Sequence, residues 1–294
     1  MTDVTSFDGT RLALYSWGQD DAPLLVLVHG LGLSTDSWGE VPQRLAGDHR
    51  VVAYDLRGHA QSGDARTGDY SLPAHAQDLS AVLDAVVPEG GSAVVVAHSL
   101  GGGILLEHVH CSPDDRIAGA VFAGSGGSGV TAPGLPGKAL PDWARARLQS
   151  GWFAALRTVA RVGRRIRPLD PLTDRVVRRM AFAPDEPREL VERVRDSFLT
   201  TRPLALAGTT LASLSHDGVQ LASGLTVPTL VVHGTCDPEV PGDEVQELLA
   251  ELPDGELVDV PGAGHMLALT DPDVVVEQVA RWVARVSDGA RTAA

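Results

Sequence analysis

The sequence predicts an α/β fold: a mostly parallel central sheet, helices on both of its faces, and a helical cap inserted between two parts of the sheet. Short apolar runs recur along the chain, and most are nearly continuous, which is typical of strands covered on both faces. Segments with helical periodicity separate these runs, and this alternation favours a parallel sheet. A long stretch rich in Arg, Ala and Leu, residues 141–215, interrupts the alternation and predicts the helical insertion.

The elements follow in chain order. Near the N-terminus, Asp8-Gly9 stands between two β-rich runs, which predicts an antiparallel hairpin at the sheet edge. Six further strands are predicted at Leu24–His29, Val51–Asp55, Ala93–Ala97, Ala118–Ala123, Pro228–His233 and Glu256–Val260. Helices are predicted at Ala74–Val87, Gly101–His110, Glu244–Leu252 and Asp273–Val286.

Charge is distributed unevenly along the chain. Residues 138–195 hold 14 Lys and Arg against 7 Asp and Glu, an excess of +7, so the remainder carries −21 to give the net charge of −14. Residues 123–137 are rich in glycine and proline, which is typical of a connecting segment. We therefore expect a core in two parts, residues 1–137 and 217–294, with residues 138–216 forming the helical cap.

Composition excludes several classes of function. The net charge of −14 argues against binding to nucleic acid or to an anionic membrane, because both need basic surfaces. No apolar run of about 20 residues predicts a membrane span, and the N-terminus lacks a signal-peptide pattern. Two cysteines, Cys111 and Cys236, are too few for a disulfide framework. We therefore expect a cytoplasmic protein, and its oligomeric state stays open.

A serine lies in "AHSLG", residues 97–101, between a predicted strand and a predicted helix. A serine hydroxyl is a weak nucleophile without a base, and a sharp turn after a strand projects it towards a substrate. The turn requires small residues two positions before and after the serine, here Ala97 and Gly101. It also points the N–H of Leu100 at negative charge that forms beside Ser99. The pattern resembles the nucleophile elbow of the α/β-hydrolase family, with Ala97 where that family usually has Gly. A Gly-rich turn without chemistry, as in a nucleotide-binding unit, is the alternative.

The resemblance implies an acid and a base after later strands, in the chain order Ser, Asp, His. The sequence "GTCDPEVP" resembles the family's acid turn, which implies a catalytic role for Asp237. The sequence "PGAGHM" resembles the family's histidine loop, which implies a general base at His265. The predicted catalytic residues are therefore Ser99, Asp237 and His265.

Two further loops resemble the family's pattern. The loop "HGLGLSTDSW" follows the first long strand, and in the family this loop supplies the second oxyanion donor, here the N–H of Leu31 beside that of Leu100. The loop "YDLRGHAQSG" is similar to the family's D-x-R-G-x-G-x-S loop, with Ala60 in the place of a usual Gly. Because that loop has a structural role in the family, Asp55 and Arg57 are interpreted as scaffold.

Other polar residues compete for these roles. Asp55 also follows a strand, but it precedes the serine in the chain, so Asp237 is preferred as the acid. His98 adjoins Ser99, but adjacent side chains diverge at a tight turn, and a scaffold role is favoured. Cys236 is interpreted as a small buried residue, because nothing near it in the sequence would lower the pKa of its thiol. The other histidines form no metal-ligand spacing, so neither a metal nor a cofactor is predicted.

The predicted cap is where we expect substrate choice to lie. Its large apolar side chains either line an acyl pocket or pack the cap onto the core: Trp143, Trp152, Phe153, Leu156, Met180, Phe182, Phe198 and Leu199. Its basic run, residues 157–167, either pairs with the acidic core or attracts an anionic substrate such as coenzyme A or a phosphopantetheine carrier. Pairing with the core is the favoured account.

These inferences predict a cofactor-independent serine hydrolase that cleaves a carboxylic ester of a small acyl substrate, apolar in part. The resemblance leaves carbon–carbon bond hydrolysis, lactone hydrolysis, thioester hydrolysis and acyl transfer open, because the same three residues serve all of them. Some members of the fold bind small ligands without catalysis, and that alternative also stays open.

Overall fold

An eight-stranded sheet organises the part of the chain that the structure, a computed structural model, describes: residues 1–127, 158, 170–214 and 216–293. Its strands are β1 Thr2–Thr5, β2 Arg11–Trp17, β3 Leu24–Val28, β4 Arg50–Tyr54, β5 Ala93–His98, β6 Ile117–Ala123, β7 Thr229–Gly234 and β8 Gly255–Val260. Their order across the sheet is β1-β2-β4-β3-β5-β6-β7-β8. The predicted mostly parallel sheet is therefore confirmed.

The two N-terminal strands differ from the rest in direction. β1 pairs with β2 and β2 pairs with β4 in antiparallel fashion, whereas every other neighbouring pair, from β4 to β8, is parallel. The turn between β1 and β2 includes Gly9 at φ 83°, a conformation that glycine adopts without strain. The hairpin predicted from Asp8-Gly9 thus lies at one edge of the sheet.

Helices cover both faces of the sheet. The described helices are α1 Val41–Leu45, α2 Leu72–Val86, α3 Leu100–Cys111, α4 Asp170–Ala181, α5 Arg188–Thr200, α6 Pro203–Leu214, α7 Gly242–Glu251, α8 Leu267–Thr270 and α9 Pro272–Ala293. Side chains of α2, α3 and α7 pack in one apolar cluster against the sheet, and side chains of α1 and α9 pack in a second cluster with Trp38 and Trp282. Burial of both faces explains why central strands such as β3 and β5 are nearly continuous apolar runs.

The carboxyl ends of the parallel strands meet at one edge of the sheet. Asp55 follows β4, Ser99 follows β5 and Asp237 lies three residues beyond β7. In open α/β sheets this edge is where ligands bind. Within the described residues, no helix is both long and apolar enough to cross a membrane.

Candidate active site

Ser99 occupies a strained turn between β5 and α3. Its backbone has φ 51° and ψ −122°, a conformation that costs a non-glycine residue free energy. Neighbouring backbone comes so close that a Cβ at Gly101 would overlap the carbonyl oxygen of Val28, and a Cβ at Gly30 would lie 2.9 Å from the Cβ of Ser99. The small residues therefore permit a turn that leaves the serine only half-buried.

The loops after β7 and β8 bring Asp237 and His265 together. The Nδ1 of His265 lies 2.9 Å from Oδ2 of Asp237, and Oδ1 of Asp237 accepts the N–H groups of Glu239 at 2.8 Å and Val240 at 3.0 Å. Burial would raise the pKa of Asp237, but the charge and hydrogen bond of His265 outweigh burial and lower it. The carboxylate thus stays ionised and fixes the ring with its protonated Nδ1 towards Asp237.

The Nε2 of His265 faces a second carboxylate. Oε2 of Glu239 lies 3.3 Å from this nitrogen, and among the described residues no hydrogen bond joins the nitrogen to Oγ of Ser99. The ring does lie beside the serine's neighbour His98, with ring centroids 4.8 Å apart. Burial would lower the pKa of His265, but the charges of Glu239 and Asp237 raise it to about 9. The sequence around Asp237 gave no signal for a role of Glu239.

The loop after β3 carries the predicted oxyanion donor. Among the described hydrogen bonds, none uses the N–H of Leu31. Leu100 is the first residue of α3, so its N–H has no partner within its own helix. Neither N–H group thus has a described hydrogen-bond partner, and their role as oxyanion donors stays a prediction.

His59 fixes the backbone of the loop after β3. Its Nε2 accepts the N–H of Gly32 at 3.1 Å, and its Nδ1 lies 3.0 Å from the carbonyl oxygen of Arg57. This pattern requires the neutral ring with the proton on Nδ1. Burial, aided by His29, lowers the pKa of His59 to about 3, so the ring stays neutral near pH 7. The spacing of 27 residues between His59 and Gly32 gave no sequence signal for this contact.

Asp55 and Arg57 make structural contacts. Oδ1 of Asp55 accepts the backbone N–H of Thr35 at 2.9 Å and also the hydroxyl of Thr35. The guanidinium of Arg57 donates two bonds of 2.6 Å to the carboxylate of Asp78, and both side chains are fully buried. These contacts engage both side chains and connect the loop after β4 to the loop after β3 and to α2.

The predicted buried position of Cys236 is wrong, because this residue is exposed. β7 ends at Gly234, and Cys236 lies in the exposed turn that follows, beside Asp237. His98 is buried, and its Nδ1 lies 2.8 Å from the carbonyl oxygen of Ala123. Across the described ranges, no group of three or more His, Cys, Asp or Glu side chains is arranged to hold a metal ion.

The described part of the predicted cap packs on the loops of the site. Phe182 is buried with Leu33 and Met266, and a Cβ at Gly32 would overlap the ring of Phe198. Met180 and Leu199 are half-buried. Four other predicted cap side chains, Trp143, Trp152, Phe153 and Leu156, lie outside the described residues, as does the basic run of residues 157–167 apart from Thr158.

Known proteins resemble this chain over most of its length. The model of the alpha/beta hydrolase family matches residues 25–278. A bifunctional esterase/perhydrolase of Acinetobacter calcoaceticus is 38% identical over 120 residues, which are 40% of this chain and 42% of that protein. A non-heme chloroperoxidase of Burkholderia pyrrocinia is 27% identical over 296 residues, 94% of this chain and 96% of that protein.

A solved structure of an esterase also resembles this chain. An esterase from a Rhodococcus species superposes with a TM-score of 0.72 and 26% identity, covering 97% of this chain and 98% of that chain. This chain spans less than half the length of the first relatives that it matches. The assignment to a family therefore depends on the long match to the family model. With residues 25–278 aligned to that model, the chain belongs to the alpha/beta hydrolase family.

Proposed function

We propose that the protein is a serine hydrolase that cleaves a carboxylic ester of a small molecule through an acyl-enzyme, with Ser99, His265 and Asp237 as its catalytic residues. The 2.9 Å contact between His265 and Asp237 carries this proposal, because a buried carboxylate on Nδ1 prepares Nε2 of an imidazole to accept a proton. The half-buried Ser99 at the carboxyl edge of the sheet supports it. Relatives named as esterases favour hydrolase activity.

The chemistry would run in two halves. Oγ of Ser99 attacks the acyl carbon while Nε2 of His265 accepts the hydroxyl proton, and the N–H groups of Leu31 and Leu100 stabilise the oxyanion. The imidazolium then gives its proton to the leaving alcohol. Water attacks the acyl-enzyme with His265 again accepting a proton, and the acid leaves as Ser99 regains its hydrogen. Asp237 stabilises the imidazolium in both halves.

Covalent labelling tests the nucleophile. A fluorophosphonate should label the wild-type protein once, and 4-nitrophenyl butyrate should give a burst of nitrophenol that matches the enzyme concentration. Ser99→Ala should lose both signals, whereas the exposed Ser112→Ala should keep them. Labelling of Ser99→Ala at the wild-type level would show that another residue is the nucleophile, and ligand binding without burst or labelling would favour a non-catalytic member of the family.

Perhydrolysis is a second candidate, because one relative is named an esterase/perhydrolase and another a non-heme chloroperoxidase. Hydrogen peroxide in place of water would attack the same acyl-enzyme and release a peracid. Peracetic acid formation from acetate ester and peroxide, absent in Ser99→Ala, would support it. Release of acetate alone at high peroxide would exclude it.

A further inference from the structure

The carboxylate of Glu239 contacts Nε2 of His265, the atom that would accept the proton of Ser99 in the proposed reaction. Its Oε2 lies 3.3 Å from Nε2 of His265, and its side chain is only 16% exposed. The turn that begins at Asp237 fixes this position, because Oδ1 of Asp237 accepts the N–H of Glu239 and of Val240. Glu239 therefore reaches the imidazole from the same turn as the predicted acid, but on the opposite nitrogen.

This contact competes with the contact that hydrolysis requires. Nε2 carries one proton or one lone pair in the ring plane, so it cannot hold Glu239 and accept a proton from Ser99 at the same time. While Glu239 is ionised, its charge favours the imidazolium, which is not a base. A reacting complex needs His265 neutral and Glu239 turned away from Nε2.

Few other ionisable groups surround the ring in the described part of the chain. Asp237 and Glu239 contact it from the loop after β7, and the ring of His98 lies beside it, tilted by 48°, from the end of β5. His98 stays neutral near pH 7, since burial and the charge of His265 lower its pKa to about 3. Burial and Asp237 raise the pKa of Glu239, whereas His265 opposes that rise. Asp237 is required to orient the ring, so Glu239 is the group that can be removed without loss of that role.

We propose, on the basis of the serine hydrolase function above, that Glu239 is a specificity-determining residue: it occupies Nε2 of His265 in the free protein and disfavours acyl substrates that carry a carboxylate near the scissile bond. A substrate anion would meet the Glu239 carboxylate at the reacting centre and would be repelled by it. A neutral acyl chain meets no such repulsion. The preferred substrate class is therefore neutral esters.

The same contact sets a pH dependence. An imidazole beside two carboxylates loses its proton at a higher pH than the ordinary value of about 6.5, and here the pKa of His265 is about 9. Since kcat/KM reports the free enzyme, it should rise with pH through this value. Glu239→Gln keeps the side-chain shape and removes the charge, so the rise should move to lower pH.

Matched esters separate charge from size. Wild type, Glu239→Gln and Glu239→Ala would be assayed from pH 5 to 10 on 4-nitrophenyl butyrate and on mono-4-nitrophenyl succinate, whose acyl chains both have four carbons. Glu247→Gln, an exposed carboxylate on α7, is the charge control. We expect both Glu239 variants to raise kcat/KM at pH 7 by about tenfold for each unit of pKa shift, and to raise it further for the succinate ester. Glu247→Gln should match the wild type.

A titration of the His265 ring by NMR tests the contact without turnover. The ring should titrate near pH 9 in the wild type and lower in Glu239→Gln, with circular dichroism confirming the fold. Equal ring pKa values and equal ester preference in both proteins would overturn the proposal. If no protein hydrolyses either ester but the ring pKa falls in the variant, the Glu239 contact stands and the proposed hydrolase function fails.

Discussion

Replacing Arg57 with Met should destabilise the protein severely. The Arg57 side chain is fully buried and donates from Nε and Nη2 to both oxygens of Asp78 at 2.6 Å, and from Nη1 to the carbonyl oxygen of Asp69 at 2.8 Å. Met has a similar length and no charge. The change therefore leaves the Asp78 carboxylate buried with no cation beside it.

The magnitude follows from that unpaired charge. Removing one partner of a buried ion pair costs about 3–5 kcal/mol, whereas an exposed pair contributes about 0–1 kcal/mol. Domains are stable by about 5–15 kcal/mol, so Arg57→Met should remove a large share of the free energy of unfolding. Urea unfolding followed by circular dichroism measures it as a lower midpoint with an unchanged slope.

A double variant gives the control. Arg57→Met with Asp78→Leu removes both charges of this pair, and replacement of a buried pair by apolar side chains is often neutral, so part of the lost stability should return. The return should be incomplete, because the carboxylate of Asp8, whose side chain is buried, lies 3.4 Å from Nη1 of Arg57 and still loses that partner. A single variant that costs less than about 1 kcal/mol would refute the reasoning. So would a double variant that is as unstable as Arg57→Met.

Three further changes test the site. His59→Phe removes the acceptor of the Gly32 N–H and should lower kcat by about 10- to 100-fold with little change in KM; an unchanged kcat would exclude a positioning role. Gly101→Ala places a methyl group against the carbonyl oxygen of Val28 and should lower the free energy of unfolding in urea by about 1–3 kcal/mol. An unchanged free energy of unfolding would show that the turn accommodates the methyl group without strain. Asp237→Asn should lower kcat by about three to four orders of magnitude, as measured in single-turnover assays, and wild-type rates would exclude it as the acid.

The sheet could be predicted from the sequence because its strands are buried on both faces. Burial makes β3 and β5 continuous apolar runs, so their positions are visible without neighbours in view. Helix ends are harder to predict: the sequence predicts the last helix at Asp273–Val286, and it spans Pro272–Ala293. The predicted end is too early because Ser287, Asp288 and Gly289 interrupt the apolar pattern and glycine favours a helix end.

Side-chain direction within turns could not be read from the sequence. Asp237 and His265 were predicted from loop patterns, and the structure brings them to hydrogen-bond distance, while their catalytic roles stay predictions. Glu239 was missed because its direction depends on backbone bonds to Oδ1 of Asp237, which local spacing does not encode. Cys236 was placed in the interior for the same reason. The cap boundaries at residues 138 and 216 stay predictions.

The strained backbone at Ser99 lowers the free energy of unfolding at the residue proposed as the nucleophile. At φ 51° and ψ −122°, a non-glycine residue strains the folded state by about 1–3 kcal/mol. Glycine would relieve that strain, but it would also raise the entropy of the unfolded chain and so cost about 0.4–1 kcal/mol of stability. Ser99→Gly should therefore unfold at a higher urea concentration than the wild type, although it has no nucleophile. The serine thus stands where the backbone conformation of the fold favours glycine. The proposed nucleophile would therefore be gained at the expense of fold stability.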